Sequence, residues 1–293
     1  MSAAAADARA PLLRAMPAVF VLIWSTGFIA ARLGMPHAPP LTFLSWRFAL
    51  SVLAYLAWIL VAGAAWPRGR AQWGHLALSG VLMHAGYLGG VWAAVRGGLG
   101  AGTIALVVGL QPVLTAVWLG ARGSAQRVAA RQWLGLALGC VGLVMVLWRK
   151  LGVGELTGSN LGLASFALVS ITAGTLYQKR FVAPCDVRTA NTVQLAAAFV
   201  VTAPLALFES ATVQWQPELV VALVWSVLVL TLGGSSLLYL LLQRGAATRV
   251  SSLMYLVPPC TALVAWGLFG EVLDGLVLPG LAITAVGVAL VVR

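Results

Sequence analysis

Hydrophobic residues occupy most of this chain in long runs, and short polar segments separate one run from the next. A helix needs about 20 apolar residues to cross a hydrocarbon layer of about 30 Å, and runs of about that length recur along the whole sequence. The ten predicted membrane spans are residues 15–34, 42–63, 74–94, 101–121, 131–148, 160–178, 189–208, 218–242, 250–268 and 275–292. The pattern therefore predicts an all-α membrane protein with ten transmembrane helices.

The composition also indicates a membrane protein. Of the 293 residues, 61% are hydrophobic and 9% are charged, whereas soluble domains carry about 25% charged residues. The first run follows Arg9 and Arg14, contains Trp24 and has no small-residue cleavage site after it, so we expect it to stay as the first span. The three cysteines predict no disulfide framework, and we expect neither a metal site nor a cofactor.

The net charge of +11 is divided unevenly between the two sides of the predicted topology. When the loops are assigned alternately from the N-terminus, one side carries 13 of the 18 Lys and Arg residues, and most of the acids lie on the other. Because basic residues next to spans are retained in the cytoplasm, both termini are predicted to be cytoplasmic. The basic charge therefore indicates orientation in a lipid bilayer, and no nucleic-acid partner is expected.

The two halves of the sequence resemble each other. Residues 135–147 and 280–292 share six identities in thirteen positions at an offset of 145, and two further segments match at offsets of 146 and 147. Each half, residues 15–148 and 160–292, holds five spans, so the second half is predicted to enter the membrane inverted. In transporters built this way, the substrate site lies near the midplane between the halves. A duplication kept by a non-transporting scaffold or receptor is the alternative.

Polar and aromatic side chains are concentrated in six spans, three from each half, where they would frame a central cavity. Span three places His84 and Tyr87 on one helix face, and span eight does the same for Ser235 and Tyr239. A serine or threonine hydroxyl can instead bond back to its own helix. The candidate substrate-binding residues are Trp24, Ser25, Thr26, His84, Tyr87, Thr172, Ser235, Tyr239, Ser251 and Tyr255.

The other spans are expected to have structural roles. Spans two and seven are largely aliphatic apart from Arg47 and Gln194, which makes them poor candidates for lining a polar cavity. Spans five and ten carry glycines at a spacing that allows close helix packing, within the chain or in a homodimer. Pro112 in span four and Pro258 and Pro259 in span nine occupy matching positions, and these prolines are candidate hinges or static kinks.

His84 lies near the middle of its predicted span, whereas all seven acids lie in loops or at span ends. Its side chain could carry a proton within the bilayer, or act as a neutral hydrogen-bonding group toward a substrate or a neighbouring helix. No catalytic motif accompanies it. Residues 233–236 lack the GxSxG elbow and the chain has no HExxH or P-loop, so no enzyme activity is expected.

Two longer segments resemble a known family. Residues 24–50, WSTGFIAARLGMPHAPPLTFLSWRFAL, resemble the opening of EamA-type members of the drug/metabolite transporter superfamily. Residues 250–271, VSSLMYLVPPCTALVAWGLFGE, are similar to that family's penultimate span with its terminal Gly-Glu. The resemblance covers nearly the whole chain as two EamA units. It implies a ten-span inner-membrane exporter with a central cavity, most similar to the YddG-type amino-acid exporters.

Departures from the superfamily's patterns narrow this expectation. The first half reads GARG at 120–123 where the Gly-Glu would stand, so any role of that glutamate falls to Glu271. Span one lacks the glutamate of the small multidrug exporters, which argues against drug/proton antiport of their kind. Sugar-phosphate carriers hold basic residues in mid-span, whereas Arg47 and Lys179 lie near span ends.

The sequence thus predicts a bacterial inner-membrane exporter that moves aromatic and other neutral amino acids by alternating access, with facilitated or gradient-driven flux. The rings of Trp24, Tyr87 and Tyr255 are expected to accept an apolar side chain or an ammonium group. A proton-coupled efflux pump for hydrophobic amines or other small metabolites is the second interpretation. A non-transporting receptor or assembly factor is the third.

Overall fold

The helices account for the regular structure of the described part of the chain. The computed structural model describes residues 9–121, 130–150, 156–243, 256–270 and 275–292. The first half forms α1 (Arg9–Gly34), α2 (Pro40–Ala62), α3 (Arg70–Arg96), α4 (Ala101–Val108), α5 (Gln111–Ala121) and α6 (Ala130–Lys150). The second half forms α7 (Gly158–Phe181), α8 (Val187–Ala206), α9 (Pro217–Gln243), α10 (Val257–Phe269) and α11 (Val277–Val292).

These helices confirm an all-helical, multi-pass membrane protein. Within the described ranges, α1, α2, α3, α7, α8 and α9 are long and apolar enough to cross a bilayer. The other predicted spans correspond to shorter apolar segments. Predicted span four is divided between α4 and α5, and predicted spans five, nine and ten correspond to α6, α10 and α11.

Helices of the first half pack mainly against helices of the second. Helix α2 lies along α8, α3 along α7, α1 along α9, α4 against α10 and α6 along α11. The largest fully buried side chains, among them Phe20, Phe43, Phe48 and Trp92, lie in the core that these pairs share. Neither half alone therefore encloses the centre of the molecule.

Helices α6 and α11 approach to backbone contact. A Cβ atom at Gly287 would lie 2.5 Å from the carbonyl oxygen of Gly135, and one at Gly142 would overlap Oγ1 of Thr284. Small residues permit this approach, and close van der Waals contact stabilises helix pairs in a bilayer. The glycines of predicted spans five and ten therefore make a contact within the chain, and the homodimer stays a prediction.

Two of the long helices contain segments with wider, π-helical turns. These are Val81–Gly86 in α3 and Ser226–Ser235 in α9. Ser226 follows Val81 by 145 residues, which is the offset of the sequence repeat. Such turns displace backbone hydrogen bonds from their α-helical partners and occur frequently at functional sites.

The loop between α7 and α8 is tied to two other helices. The side chain of Gln72 donates to the carbonyl of Ala183 at 2.8 Å and accepts from its N–H at 3.1 Å. Gln243 donates to the carbonyl of Cys185 at 2.6 Å. Asp186 caps α8, and the hydrogen bonds from Arg188 hold the pKa of its carboxyl below the usual range. These contacts join the ends of α3, α7 and α9.

The loop between α8 and α9 closes the opposite end of the bundle. The carboxylate of Glu209 accepts hydrogen bonds from the N–H groups of Leu41 and Thr42 at 2.9 and 2.8 Å, which places a negative charge at the N-terminus of α2. The rings of Trp46 and Trp215 stack at 4.8 Å between centroids. The first turns of α2 are thus fixed to the second half.

Candidate substrate pathway

Two small cavities lie between the halves. The residues that line only the first, the Arg47 cavity, include Arg47, Tyr87, Val91, Trp92 and Leu230. The residues that line only the second, the Gln194 cavity, include Gln178, Asn191, Gln194 and Tyr239. Four residues line both cavities and lie between them: Trp24, Met83, His84 and Ser235.

The two cavities lie toward opposite ends of the bundle. Arg47 is in the first third of α2, and Trp92 is near the end of α3, so the Arg47 cavity lies toward the end where α1 and α3 finish. Gln178 is near the end of α7 and Gln194 is in the first half of α8, so the Gln194 cavity lies toward the end where α7 finishes. The four shared residues therefore occupy the middle of a discontinuous path.

His84 lies in the π-helical segment of α3 and is buried. Its ring meets that of Phe48 edge-on, with centroids 6.1 Å apart. Helix α3 is held tightly against α7 here, because a Cβ at Gly90 would lie 2.8 Å from the carbonyl oxygen of Leu163 and one at Gly86 would lie 2.9 Å from Oγ of Ser170. The imidazole is thus fixed at the boundary of the two cavities.

Aromatic faces line the same region. The rings of Trp24 and Tyr87 are parallel within 3°, with centroids 6.5 Å apart, and Phe20 packs against Trp24 at 5.2 Å. Trp24, Tyr87 and His84, three of the residues nominated from the sequence, therefore line the same cavity. Such surfaces accept apolar side chains and the positive edge of other rings.

Ser235 and Tyr239 extend the lining along α9. Ser235 lines both cavities, while Tyr239 lines the Gln194 cavity. The hydroxyl of Tyr239 lies 3.1 Å from Sγ of Cys185 in the loop between α7 and α8. Tyr239 therefore connects the wall of the Gln194 cavity to the contacts that close that end of the bundle.

A buried amide network forms another wall of the Gln194 cavity. Nε2 of Gln194 donates to Oγ of Ser79 and to Oε1 of Gln178, both at 2.9 Å, so both of its N–H groups are used. This network joins α3, α7 and α8. The expectation that spans two and seven would not line polar space is therefore wrong, because Arg47 and Gln194 lie in those spans and both line cavities.

Arg47 is the principal site residue that sequence reasoning missed. Its side chain is 5% exposed, and its Nε donates to Oγ1 of Thr231 at 3.2 Å. Thr231 lies in the π-helical segment of α9, and its carbonyl also accepts from the hydroxyl of Tyr55 at 3.0 Å. A charged residue in an otherwise aliphatic span was the signal that could have found it.

Four of the nominated hydroxyls bond to their own helices, and Ser235 does so through the carbonyl of Leu230 at 3.5 Å. Ser25 donates to Val21, Thr26 to Ile23 and Thr172 to Leu168, at 2.6–2.7 Å. None of these last three residues lines either cavity in this conformation. The remaining nominated residues, Ser251 and Tyr255, lie outside the described residues, as does Glu271.

The nominated prolines lie in first helical turns. Pro112 follows the interruption between α4 and α5, and Pro258 and Pro259 begin α10. A Cβ at Gly109, in the interruption, would lie 2.7 Å from Cγ of Pro258, so the two proline-bearing segments touch. Their role as hinges stays a prediction.

Neither cavity has room for an organic solute in this conformation. The cavity volume is about 40 Å³ for the Arg47 cavity and about 10 Å³ for the Gln194 cavity. One water needs about 10–15 Å³ of such volume, so the two cavities together hold a few waters. An organic solute would need the helices to separate. Among the described residues, no three His, Cys, Asp or Glu side chains cluster as metal ligands would.

A helical membrane protein with small cavities between its two halves, lined by apolar and a few polar side chains, has an architecture typical of a transporter. The chain belongs to the EamA-like transporter family, whose sequence profile matches residues 15–148 and again residues 159–293. This confirms the resemblance seen in the sequence. The family is one of transporters and not of enzymes, as expected from the missing catalytic motifs.

Relatives match over almost the entire chain. A protein of Salmonella typhimurium named "Probable amino-acid metabolite efflux pump" is 24% identical over 91% of this chain and 90% of its own length. A protein of Escherichia coli K12 named "Uncharacterized inner membrane transporter YedA" is 28% identical over 96% of this chain and 90% of its own. A solved crystal structure, 18% identical, covers 94% of this chain and 95% of its own with a TM-score of 0.70, which shows a shared fold.

Proposed function

We propose that the protein exports neutral amino acids, aromatic ones among them, across the bacterial inner membrane by alternating access. The observation that carries this proposal is the pair of cavities toward opposite ends of the bundle that share Trp24, Met83, His84 and Ser235. A solute held at these four residues would face one end or the other. The name of the Salmonella relative supports the substrate class, and the name of the Escherichia coli relative supports the inner membrane.

Two inverted five-helix repeats, residues 15–148 and 160–292 around a central cavity, are the architecture we propose for this movement. When each helix is replaced by its counterpart in the other half, the packed pairs α2–α8, α4–α10 and α6–α11 stay the same. The packed pair α3–α7 becomes α1–α9, which is also packed. The matching π-helical segments support the same relation. His84 and Leu230, which are 146 residues apart, both line the Arg47 cavity.

In the cycle we propose, one half rocks against the other and breaks one set of end contacts at a time. Opening toward the α7–α8 loop would separate Gln72 of the first half from Ala183 of the second. Opening at the other end would separate Glu209 from Thr42 and Trp215 from Trp46. The interruption before Pro112 and its contact with Pro258 lie where bending would be needed.

At the centre, Trp24 and Tyr87 would receive the apolar side chain of the substrate, and an ammonium group could lie over either ring. The imidazole of His84 and the hydroxyl of Ser235 would supply neutral hydrogen bonds. With the N-terminus in the cytoplasm, as the charge distribution predicts, the Gln194 cavity would face inward and the Arg47 cavity would face the periplasm.

Counterflow of labelled amino acids into proteoliposomes tests this function. We expect purified protein to accelerate the exchange of phenylalanine and of smaller neutral amino acids without an imposed pH gradient. Acceleration for none of the twenty would contradict the substrate class. Uptake of hydrophobic amines that responds to a pH gradient would favour proton-coupled efflux, and ligand binding without any flux would favour a receptor.

A further inference from the structure

Arg47 presents to the Arg47 cavity a positive charge that has no counterion among the described residues. Its Nε is bound to Thr231, and its guanidinium carbon lies 5.9 Å from the centre of the Trp92 ring. Within the described part of the chain, no carboxylate oxygen lies within 4 Å of the guanidinium, and its two Nη atoms make no hydrogen bond. The side chain is nevertheless 95% buried, since 5% of it is exposed.

The surroundings fix this guanidinium in one orientation. The hydroxyl of Thr231 donates to the carbonyl of Ser226 at 2.8 Å, which leaves its oxygen free to accept from Nε of Arg47. Trp92 is held in turn by stacking on Phe43 at 4.4 Å. Because Nε is anchored on one side, the Nη groups remain available on the other, and the residue borders the cavity.

A buried charge without a counterion is costly, since removing an ion from water carries a large desolvation penalty. That cost falls when an anion arrives and makes charge-assisted hydrogen bonds. The planar guanidinium matches a carboxylate with two parallel N–H···O bonds. The unpaired donors of Arg47 therefore favour a carboxylate over a neutral or cationic group.

The corresponding position of the other half shows no such charge. Gln194 follows Arg47 by 147 residues, the third offset of the sequence repeat, and lines the other cavity. Its amide N–H groups are used by Ser79 and Gln178. The pathway is thus cationic on one side of His84 and neutral on the other.

We propose that Arg47 binds the carboxylate of the transported solute and makes a carboxylate a requirement for recognition. The inference rests on the proposed transport function and deepens it. Amino acids and other small carboxylic acids with an apolar body are substrates or ligands, whereas amines of the same shape without a carboxylate are not. An amine efflux role is thereby disfavoured.

Three probes of similar shape distinguish the contribution of the carboxylate from that of the ammonium group. They are L-phenylalanine, hydrocinnamate, which lacks the ammonium, and phenethylamine, which lacks the carboxylate. Binding to purified protein in detergent is measured by quenching of tryptophan fluorescence and by thermal shift. We expect the wild type to bind phenylalanine and hydrocinnamate and to bind phenethylamine at least tenfold more weakly, as loss of a charged hydrogen-bond pair implies.

Arg47→Gln tests the residue itself. We expect affinity for phenylalanine and hydrocinnamate to fall about tenfold to a hundredfold while affinity for phenethylamine does not fall, and Arg47→Lys to restore part of the difference. Arg68→Gln, which removes an exposed arginine outside both cavities, is the matched control and should bind all three probes like the wild type.

The outcomes distinguish this inference from the function on which it rests. Wild-type affinity of Arg47→Gln for hydrocinnamate, or equal wild-type affinities for phenethylamine and phenylalanine, would overturn the carboxylate site. So would binding of none of the probes by the wild type. Carboxylate-dependent binding without flux in proteoliposomes would support the carboxylate site and contradict the proposed export function. If Arg47→Gln does not fold, the wild-type comparison of the three probes decides.

Discussion

The indole of Trp24 in α1 and the phenol ring of Tyr87 in α3 lie parallel within 3°, with their centroids 6.5 Å apart. Both rings border the Arg47 cavity, and Trp24 also borders the Gln194 cavity. A substrate crossing from one cavity to the other would therefore pass the indole face.

Trp24→Ala should reduce transport of aromatic substrates more than that of small ones. An aromatic contact adds about 0.5–1.5 kcal/mol beyond its buried area, so counterflow of phenylalanine should fall about two- to twelvefold more than that of alanine. Trp266→Ala removes an exposed indole on α10 and should change neither rate. Equal losses for phenylalanine and alanine would show that Trp24 supports packing and does not select the side chain.

His84→Ala should lower counterflow on the order of tenfold while expression and the elution profile in detergent stay unchanged, because one central hydrogen-bonding group is lost. His84→Gln keeps a neutral donor and acceptor and should retain most of the activity. If the imidazole instead carries a proton, flux driven by an imposed pH gradient will disappear in His84→Gln and exchange will persist. An unaffected rate in His84→Ala would assign the residue to packing alone.

Gln194→Met should destabilise the protein, since it leaves Oε1 of Gln178 and Oγ of Ser79 without their buried donor. The expected loss in free energy of unfolding is about 1–3 kcal/mol. Unfolding in detergent by denaturant measures it. Gln72→Met removes hydrogen bonds to Ala183 that water can replace, and its loss should be smaller. Equal losses in the two variants would argue against a special cost of the buried network.

Gly287→Ala should loosen the contact between α6 and α11, because the new Cβ would meet the carbonyl oxygen of Gly135 at 2.5 Å. Overpacking of this kind costs about 1–3 kcal/mol. Gly162→Ala on α7 is the control, since nothing lies within 4 Å of its Cβ, and alanine there should be neutral or stabilising by up to about 1 kcal/mol. Thermal unfolding in detergent compares the two, and a stable Gly287→Ala would show that the helices adjust without cost.

The sequence predicted the helices well because the bilayer imposes their length and polarity. It also nominated Trp24, Tyr87 and His84, which lie near the middle of their spans, where an aromatic or ionisable side chain is conspicuous. Arg47 was missed because it was judged by its distance from the span end. The interruption between α4 and α5 and the π-helical turns were not predicted either, since hydrophobic periodicity reports a helix face and not its hydrogen-bond register.

Hydroxyl groups were the weakest basis for prediction. Ser25, Thr26 and Thr172 donate to carbonyls of their own helices and border neither cavity, whereas Ser235 also donates to its own helix and still borders both cavities. A serine or threonine in a span looks the same in the sequence in either case, because the choice depends on what packs beside it. Tertiary packing alone separates the two roles.

The pairing of α6 with α11 also constrains how the protein is made. Helix α6 ends the first half of the chain, and its partner α11 ends the second half. The glycine face of α6 therefore stays without its native partner until α11 has been synthesised. Helices α1, α2 and α3 likewise find their packing partners α9, α8 and α7 only after the second half has been synthesised, so the compact core forms late. A truncated chain should therefore expose unpaired surfaces to quality-control proteases.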